Sequence, residues 1–341
     1  MQGYPVAAPV APSHSGVAGT YVGDSLPGPR LNVSRETGAI PPPPRTRMMV
    51  VANQKGGVGK TTTTVNIAAA LAMNGARVLV IDLDPQGNAS TALGIDHHAD
   101  VPSVYDVLVD GKPLADVVQP VKDVEGLFCA PATIDLAGAE IELVSLVARE
   151  SRLKRALDSY EQPLDYVLID CPPSLGLLTV NALVAGAEVM IPIQCEYYAL
   201  EGLSQLLRNV ELVRGHLNPA LHISTILLTM YDARTRLAAQ VAEEVRTHFA
   251  DQVLRTSIPR SVRISEAPSY GQTVMTYDPG SSGALSYLEA AREIALRGAG
   301  ANAHPANPYA TQAGPGEGGH PQQSAAPSAS PQHFGMVEEN R

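Results

Sequence analysis

Tryptophan is absent from this 341-residue chain and phenylalanine occurs only three times. The core must therefore be built from aliphatic side chains. Cysteine is equally scarce. Cys129, Cys171 and Cys195 stand far apart within apolar segments and form no C-x-x-C pair. That excludes a disulfide framework, fits a reduced cytosol, and leaves each thiol as a small buried hydrophobe. No apolar run approaches the roughly 18 residues that a membrane span requires. No basic start followed by an apolar stretch opens the chain, so no signal peptide is expected. A basic excess is also missing: the formal charge is −10. Any nucleic-acid site must then be a local basic patch, because bulk charge opposes one. No internal repeat is present.

What is there falls into three parts. Residues 1–46 are rich in Pro, Gly, Ser and Ala and run into Pro41-Pro42-Pro43-Pro44. Residues 300–341 are rich in Ala, Pro, Gly, Gln and Ser. Neither stretch has the periodic apolar pattern that repays ordering entropy, so both are expected to be disordered. Residues 47–299 carry that pattern and keep the acidic excess. Their length suits one α/β domain of about 250 residues.

Within this core, strand-like and helix-like segments alternate. Strands are expected at 48–52, 77–82, 127–131, 165–170, 188–193 and 222–230. Helices are expected at about 63–72, 137–159, 175–185, 199–215, 235–249 and 282–297. Near-continuous Val, Ile and Leu marks strands buried on both faces. The alternation implies a mostly parallel central sheet with helices on both faces. Ligands then gather at the carboxyl ends of the strands.

The most informative stretch lies at such an end. Met48-Met49-Val50-Val51-Ala52 leads into Lys55-Gly56-Gly57-Val58-Gly59-Lys60-Thr61-Thr62, and a helix follows. Strand, Gly-rich turn and helix start together form a phosphate cradle, with backbone N–H groups and the helix N-terminus facing the anion. Lys60 can reach the β- and γ-phosphates, and the Thr61 hydroxyl can ligate Mg²⁺. The usual first glycine is replaced by Gln54, and a second lysine, Lys55, precedes the glycine pair. That is the deviant Walker A form.

Two further strand ends carry carboxylates. Asp82 and Asp84 leave the run Val78-Leu79-Val80-Ile81, followed by Pro85-Gln86-Gly87-Asn88. Two-residue spacing in extended chain puts them on one side. One can serve the metal or its water shell, and the other can orient an attacking water. The plainer alternative is that both bond turn amides. Asp170 closes Tyr166-Val167-Leu168-Ile169 in the Walker B position. Asp165, at the other end of that strand, is read as structural.

The combination of NQKGGVGKTTT (53–63), VLVIDLDPQGNAS (78–90), YVLIDCPPSLG (166–176) and PRSVRISEAPSYGQ (259–272) resembles the ParA/Soj family of chromosome- and plasmid-partitioning ATPases. The resemblance covers about 47–297. It implies a deviant P-loop NTPase fold, ATP and Mg²⁺ as cofactors, and an ATP-dependent homodimer. It also implies non-specific DNA binding by that dimer, hydrolysis stimulated by a ParB-type centromere-binding protein, and a cytoplasmic, nucleoid-associated location.

By the same resemblance, Lys55 reaches the partner subunit's phosphates, Asp84 positions water, and Asp82 and Asp170 stand on the metal side. Arg234 and Arg263 match arginines used for DNA, with Arg260 and Arg236 as neighbours. Met230 and Pro259 lie where adenine would pack. MinD-like relatives carry a basic amphipathic C-terminal helix for membranes, and 300–341 has none, so no membrane partner is expected. Iron–sulfur relatives need cysteines that are not so placed here. Bacterial tyrosine kinases carry a C-terminal Tyr cluster, whereas 300–341 contains only Tyr309. The alternative within the family is an ATPase that positions a protein cluster on the nucleoid instead of a centromere.

Overall fold

The structure is a computed structural model that describes residues 40–196 and 199–299. The tails expected to be disordered lie outside the described residues, except for 40–46. There Ile40 is buried and Thr46 Oγ1 donates to the Leu164 carbonyl at 2.6 Å. The last turn of the proline-rich stretch is therefore part of the fold, held by one apolar anchor and one hydrogen bond.

Eight strands form one sheet: β1 Arg47–Val51, β2 Val78–Asp82, β3 Gln119–Pro120, β4 Leu127–Ala130, β5 Tyr166–Asp170, β6 Glu188–Gln194, β7 His222–Tyr231 and β8 Val253–Pro259. Their order is β3-β4-β2-β5-β1-β6-β7-β8, and every pair is parallel except β3–β4. The helices are α1 Lys60–Met73, α2 Asn88–Ala92, α3 Leu136–Leu143, α4 Arg152–Asp158, α5 Leu177–Ala185, α6 Ala199–His216, α7 Arg236–His248, α8 Val262–Glu266, α9 Val274–Tyr277 and α10 Ser282–Ala299.

Both faces of the sheet are buried, and the two-residue period of a strand sorts side chains between them. Leu79, Ile81, Val167 and Ile169 enter a core shared with α3 to α7. Val78, Val80, Tyr166 and Leu168 enter the opposite core with α1 and α10. Helix α1 is buried from Thr63 to Ala72. Its run of Ala and Thr lets the backbone approach the sheet closely. All three cysteines are buried and unpaired, as small apolar fillers.

Two departures from the sequence reading are instructive. The helix expected over 137–159 is broken. α3 stops at Leu143, Ala148 takes a left-handed conformation (φ 51°), and α4 begins at Arg152. The start of α4 is capped from outside: Asn181 Oδ1 on α5 accepts from Arg152 N at 3.1 Å and Leu153 N at 3.2 Å. A cap borrowed from a distant helix leaves no local signature. Strand β8 also escapes the pattern, because Arg255, Thr256 and Ser257 interrupt its apolar run on the sheet edge.

At the amino ends of the strands, Arg47 and Glu188 form a two-point ion pair, Nε–Oε1 2.8 Å and Nη2–Oε2 2.6 Å. A third guanidinium bond goes to the Ile294 carbonyl at 2.7 Å, tying α10 to the sheet. Burial alone would raise the Glu188 carboxyl, but the guanidinium outweighs it and holds the group below its ordinary range. Glu188→Ala should cost about 3 kcal/mol, because it leaves a buried cation without its partner. Urea unfolding measures the loss, and a double variant with Arg47→Met should recover most of it.

Candidate nucleotide-binding site

The phosphate loop bridges β1 and α1. Gly57 (φ 73°) and Gly59 (φ 87°) both take the left-handed conformation that side chains resist. A Cβ at Gly56 or Gly57 would meet no atom within 4 Å, so the loop's inner side is open. Gly59 caps α1 without any side-chain acceptor. The first-turn N–H groups of a helix have no intrahelical partner. Here no side chain takes their place, and the helix's partial positive end is left to an anion.

Those groups face a cleft of about 380 Å³, lined by Gly56, Gly57, Gly59, Lys60, Thr61, Thr62, Asp84, Asn88, Thr91, Ala92, Pro173, Met230 and Pro268. The Lys60 ammonium lies 3.4 Å from the Lys55 carbonyl and is nearly buried. Burial pulls its pKa down, against the opposing pull of Asp170 and Asp84. A poorly solvated cation beside uncapped N–H groups favours a multiply charged anion. Val58 points inward, and its carbonyl accepts from Thr229 Oγ1 at 2.8 Å, fixing the loop to β7.

Asp170 sits beneath the loop with no exposed surface. Its two oxygens accept from Thr61 Oγ1 at 2.7 Å and Thr64 Oγ1 at 2.9 Å. Burial, and behind it the Asp82 charge, holds the Asp170 carboxyl well above its ordinary range. Thr61 gives its proton to Asp170, so its oxygen lone pairs stay free for a cation in the cleft. Among the described residues no group of three or more His, Cys, Asp or Glu could hold a metal ion by itself. The donor set instead suits Mg²⁺, which keeps few protein ligands and takes the rest from phosphates and water.

Asp82 and Asp84 part company, contrary to the shared side that extended spacing suggests. β2 ends at Asp82, and the chain then folds into a turn in which Asp84 Oδ1 accepts from Gln86 N at 3.1 Å. Asp84 lines the cleft. Asp82 is fully buried and points into α2, accepting from Ser90 N at 2.9 Å and Ser90 Oγ at 2.8 Å. Burial raises its carboxyl as well.

Lys55 is not among the residues lining the cleft. Its ammonium pairs with Glu196 Oε2 at 3.3 Å, just beyond β6, and Glu196 Oε1 also lies 3.7 Å from Arg260 Nη2. Met230 lines the cleft in a left-handed conformation (φ 50°), a strained backbone for a side chain of its size. Pro259 ends β8 beside Tyr231, away from the cleft lining.

Arg234 and Arg263 stand on the rim beyond β7 and β8. Both are exposed, and each is paired with carboxylates: Arg234 with Asp232, and Arg263 with Glu266 and Asp278. Thr64, Asn88, Thr91, Pro173 and Pro268 were not singled out from the sequence. Thr64, one turn after Thr61, is the member that helical spacing could have pointed to.

Comparison with known proteins agrees with this geometry. Residues 46–223 match the AAA domain family. The chain is 58% identical over 253 residues to the sporulation initiation inhibitor protein Soj of Bacillus subtilis, spanning 74% of this chain and 99% of that one. It is 52% identical over 253 residues to the chromosome partitioning protein ParA of Caulobacter vibrioides, spanning 74% and 94%. A solved structure of cobyrinic acid a,c-diamide synthase from Mycobacterium smegmatis, bound to an ATP analogue and magnesium, superposes with a TM-score of 0.63. It is 42% identical and covers 72% of this chain and 93% of that one. The chain is a member of the ParA/Soj family of P-loop partitioning ATPases.

Proposed function

We propose that this protein is an ATP-hydrolysing DNA-partitioning factor of the nucleoid. Its ATP-bound homodimer holds DNA without sequence preference and lets go on hydrolysis, which a ParB-type centromere-binding protein stimulates. The observation that carries the reading is the convergence of Lys60, Thr61, Asp84 and the uncapped start of α1 on one cleft. The names of its relatives support partitioning as the task.

In this reading the open loop Gly56–Thr62 receives the phosphates, and Lys60 binds the β- and γ-phosphoryl oxygens. Thr61 offers its oxygen to magnesium while Asp170 holds the hydroxyl in place. Asp82 adds negative charge from below. Magnesium, when bound, neutralises charge that develops between the β- and γ-phosphates. Asp84 orients the attacking water; its carboxylate is held by the Gln86 N–H, and its backbone carbonyl accepts from Gly87 N to close the turn. Met230 meets the adenine from the cleft wall, and Pro259 stands further out toward the same edge.

Lys55, already turned away from its own cleft, serves the second copy's phosphates. The arginines Arg234, Arg260 and Arg263 form the DNA face, doubled when two copies join.

Two variants test the reading. Asp84→Ala should keep ATP binding and the ATP dimer while phosphate release falls by about two orders of magnitude. Turnover equal to that of the natural chain would remove Asp84 from the chemistry. Lys55→Ala should bind nucleotide yet give no ATP dimer by light scattering. A dimer there would place the lysine's task within one chain.

A further inference from the structure

The loops that follow β6, β7 and β8 leave the sheet at the same rim, because the three strands are parallel neighbours. That rim carries Arg234, Arg260 and Arg263, and each of the three is already paired with a carboxylate. Arg234 meets Asp232 at two points, Nε–Oδ1 2.9 Å and Nη2–Oδ2 2.9 Å. Arg260 lies 3.7 Å from Glu196. Arg263 has Glu266 at 3.3 Å and Asp278 at 3.3 Å.

Exposed pairs of this kind add little to folding stability. The Arg234 side chain is 89% exposed, and among the described residues its guanidinium bonds run to Asp232. The carboxylates matter instead to whatever anion approaches the rim. We propose that Asp232, together with the carboxylates facing Arg260 and Arg263, is an intramolecular competitor that DNA phosphates must displace, which keeps the grip on DNA weak and releasable.

This inference rests on the DNA-face reading above. Its physical content is an exchange. A free arginine that binds a phosphate gains the full counterion release from DNA. A paired arginine gives up one anion for another, and the abandoned carboxylate takes a solution cation back. Binding is therefore weaker, and its salt dependence shallower, than three free arginines on each of two subunits would give.

Asp232 isolates the effect, because its two roles separate chemically. It closes a turn by accepting from Arg234 N at 3.0 Å, and its carbonyl accepts from Thr235 N at 3.0 Å, at the cap of α7. Asn can accept the same turn bond but carries no charge. Arg234 holds the Asp232 carboxyl down to about 2, so the competitor stays ionised at every physiological pH.

The experiment measures binding of the full chain to a random-sequence duplex, with a non-hydrolysable ATP analogue, across a salt series. Four forms are compared: natural, Asp232→Asn, Arg234→Ala and the double variant. Asp232→Asn should tighten binding about fivefold and steepen the salt dependence. In the Arg234→Ala background the same change should have no effect, because the competitor then has nothing to guard.

The proposal is overturned if Asp232→Asn leaves binding unchanged or weakens it while Arg234→Ala weakens it. It is also overturned if the gain persists without Arg234, since that marks a general charge effect. If Arg234→Ala binds DNA as the natural chain does, the DNA-face reading itself falls, and the competitor with it. Asp278→Asn, alone and with Arg263→Ala, repeats the test at the second arginine should the Asp232 turn prove sensitive.

Discussion

The structure hinges on one buried carboxylate. Asp170 ends the central strand β5 with no solvent contact, a position that costs a charged group dearly unless donors surround it. Two donors come from a single helix turn, Thr61 and Thr64, and the residue's own carbonyl accepts from Leu83 N at 2.9 Å. The ends of β2 and β5 and the start of α1 are thereby locked together. The phosphate loop cannot shift relative to the sheet without stranding that carboxylate. The same constraint supplies the chemistry: a hydroxyl whose hydrogen bond is committed to Asp170 is a pre-oriented oxygen ligand, and the buried carboxyls of Asp82 and Asp170, whose charged forms burial disfavours, need cations above them to ionise together. Lys60 answers part of that demand.

Much of this was legible from residue order. Gly56, Gly57 and Gly59 announce a loop that needs left-handed backbone, and their place between an apolar run and a helix announces what the loop faces. The strands β1, β2, β5, β6 and β7 are long aliphatic runs because both of their faces are buried. What could not be read depended on partners far along the chain. The break between α3 and α4 is stabilised by Asn181, while the local N-cap residue, Ser151, makes no side-chain cap bond. Asp82 and Asp84 share a side only while the strand continues, and it ends at Asp82, where Ser90 claims the first carboxylate. The Arg47 pairing across to Glu188 likewise spans 141 positions.

Surface charge follows a different logic from the core. With a formal charge of −10, the chain repels DNA at long range. The carboxyl end of β7 places Met230 on the cleft wall, and Arg234 follows in the loop that leads to α7. A change in the cleft and a change in the basic rim therefore share a few residues of backbone around Met230, whose left-handed conformation is the kind of strain that persists where function demands it.

The two lysines of the loop divide in the same spirit. Lys60 is nearly buried and belongs to its own cleft. Lys55 is five residues away yet turns outward to Glu196 and keeps about a third of its side chain exposed. A second cation directed into the same cleft would only repel the first. Directed outward, it is held by a partly exposed ion pair that contributes little on its own. Such a pair yields readily to a stronger anion, and phosphate oxygens bearing several negative charges are stronger than one carboxylate. Under the proposed function, the lysine is parked in the isolated chain and recruited when a nucleotide-loaded second copy comes within reach.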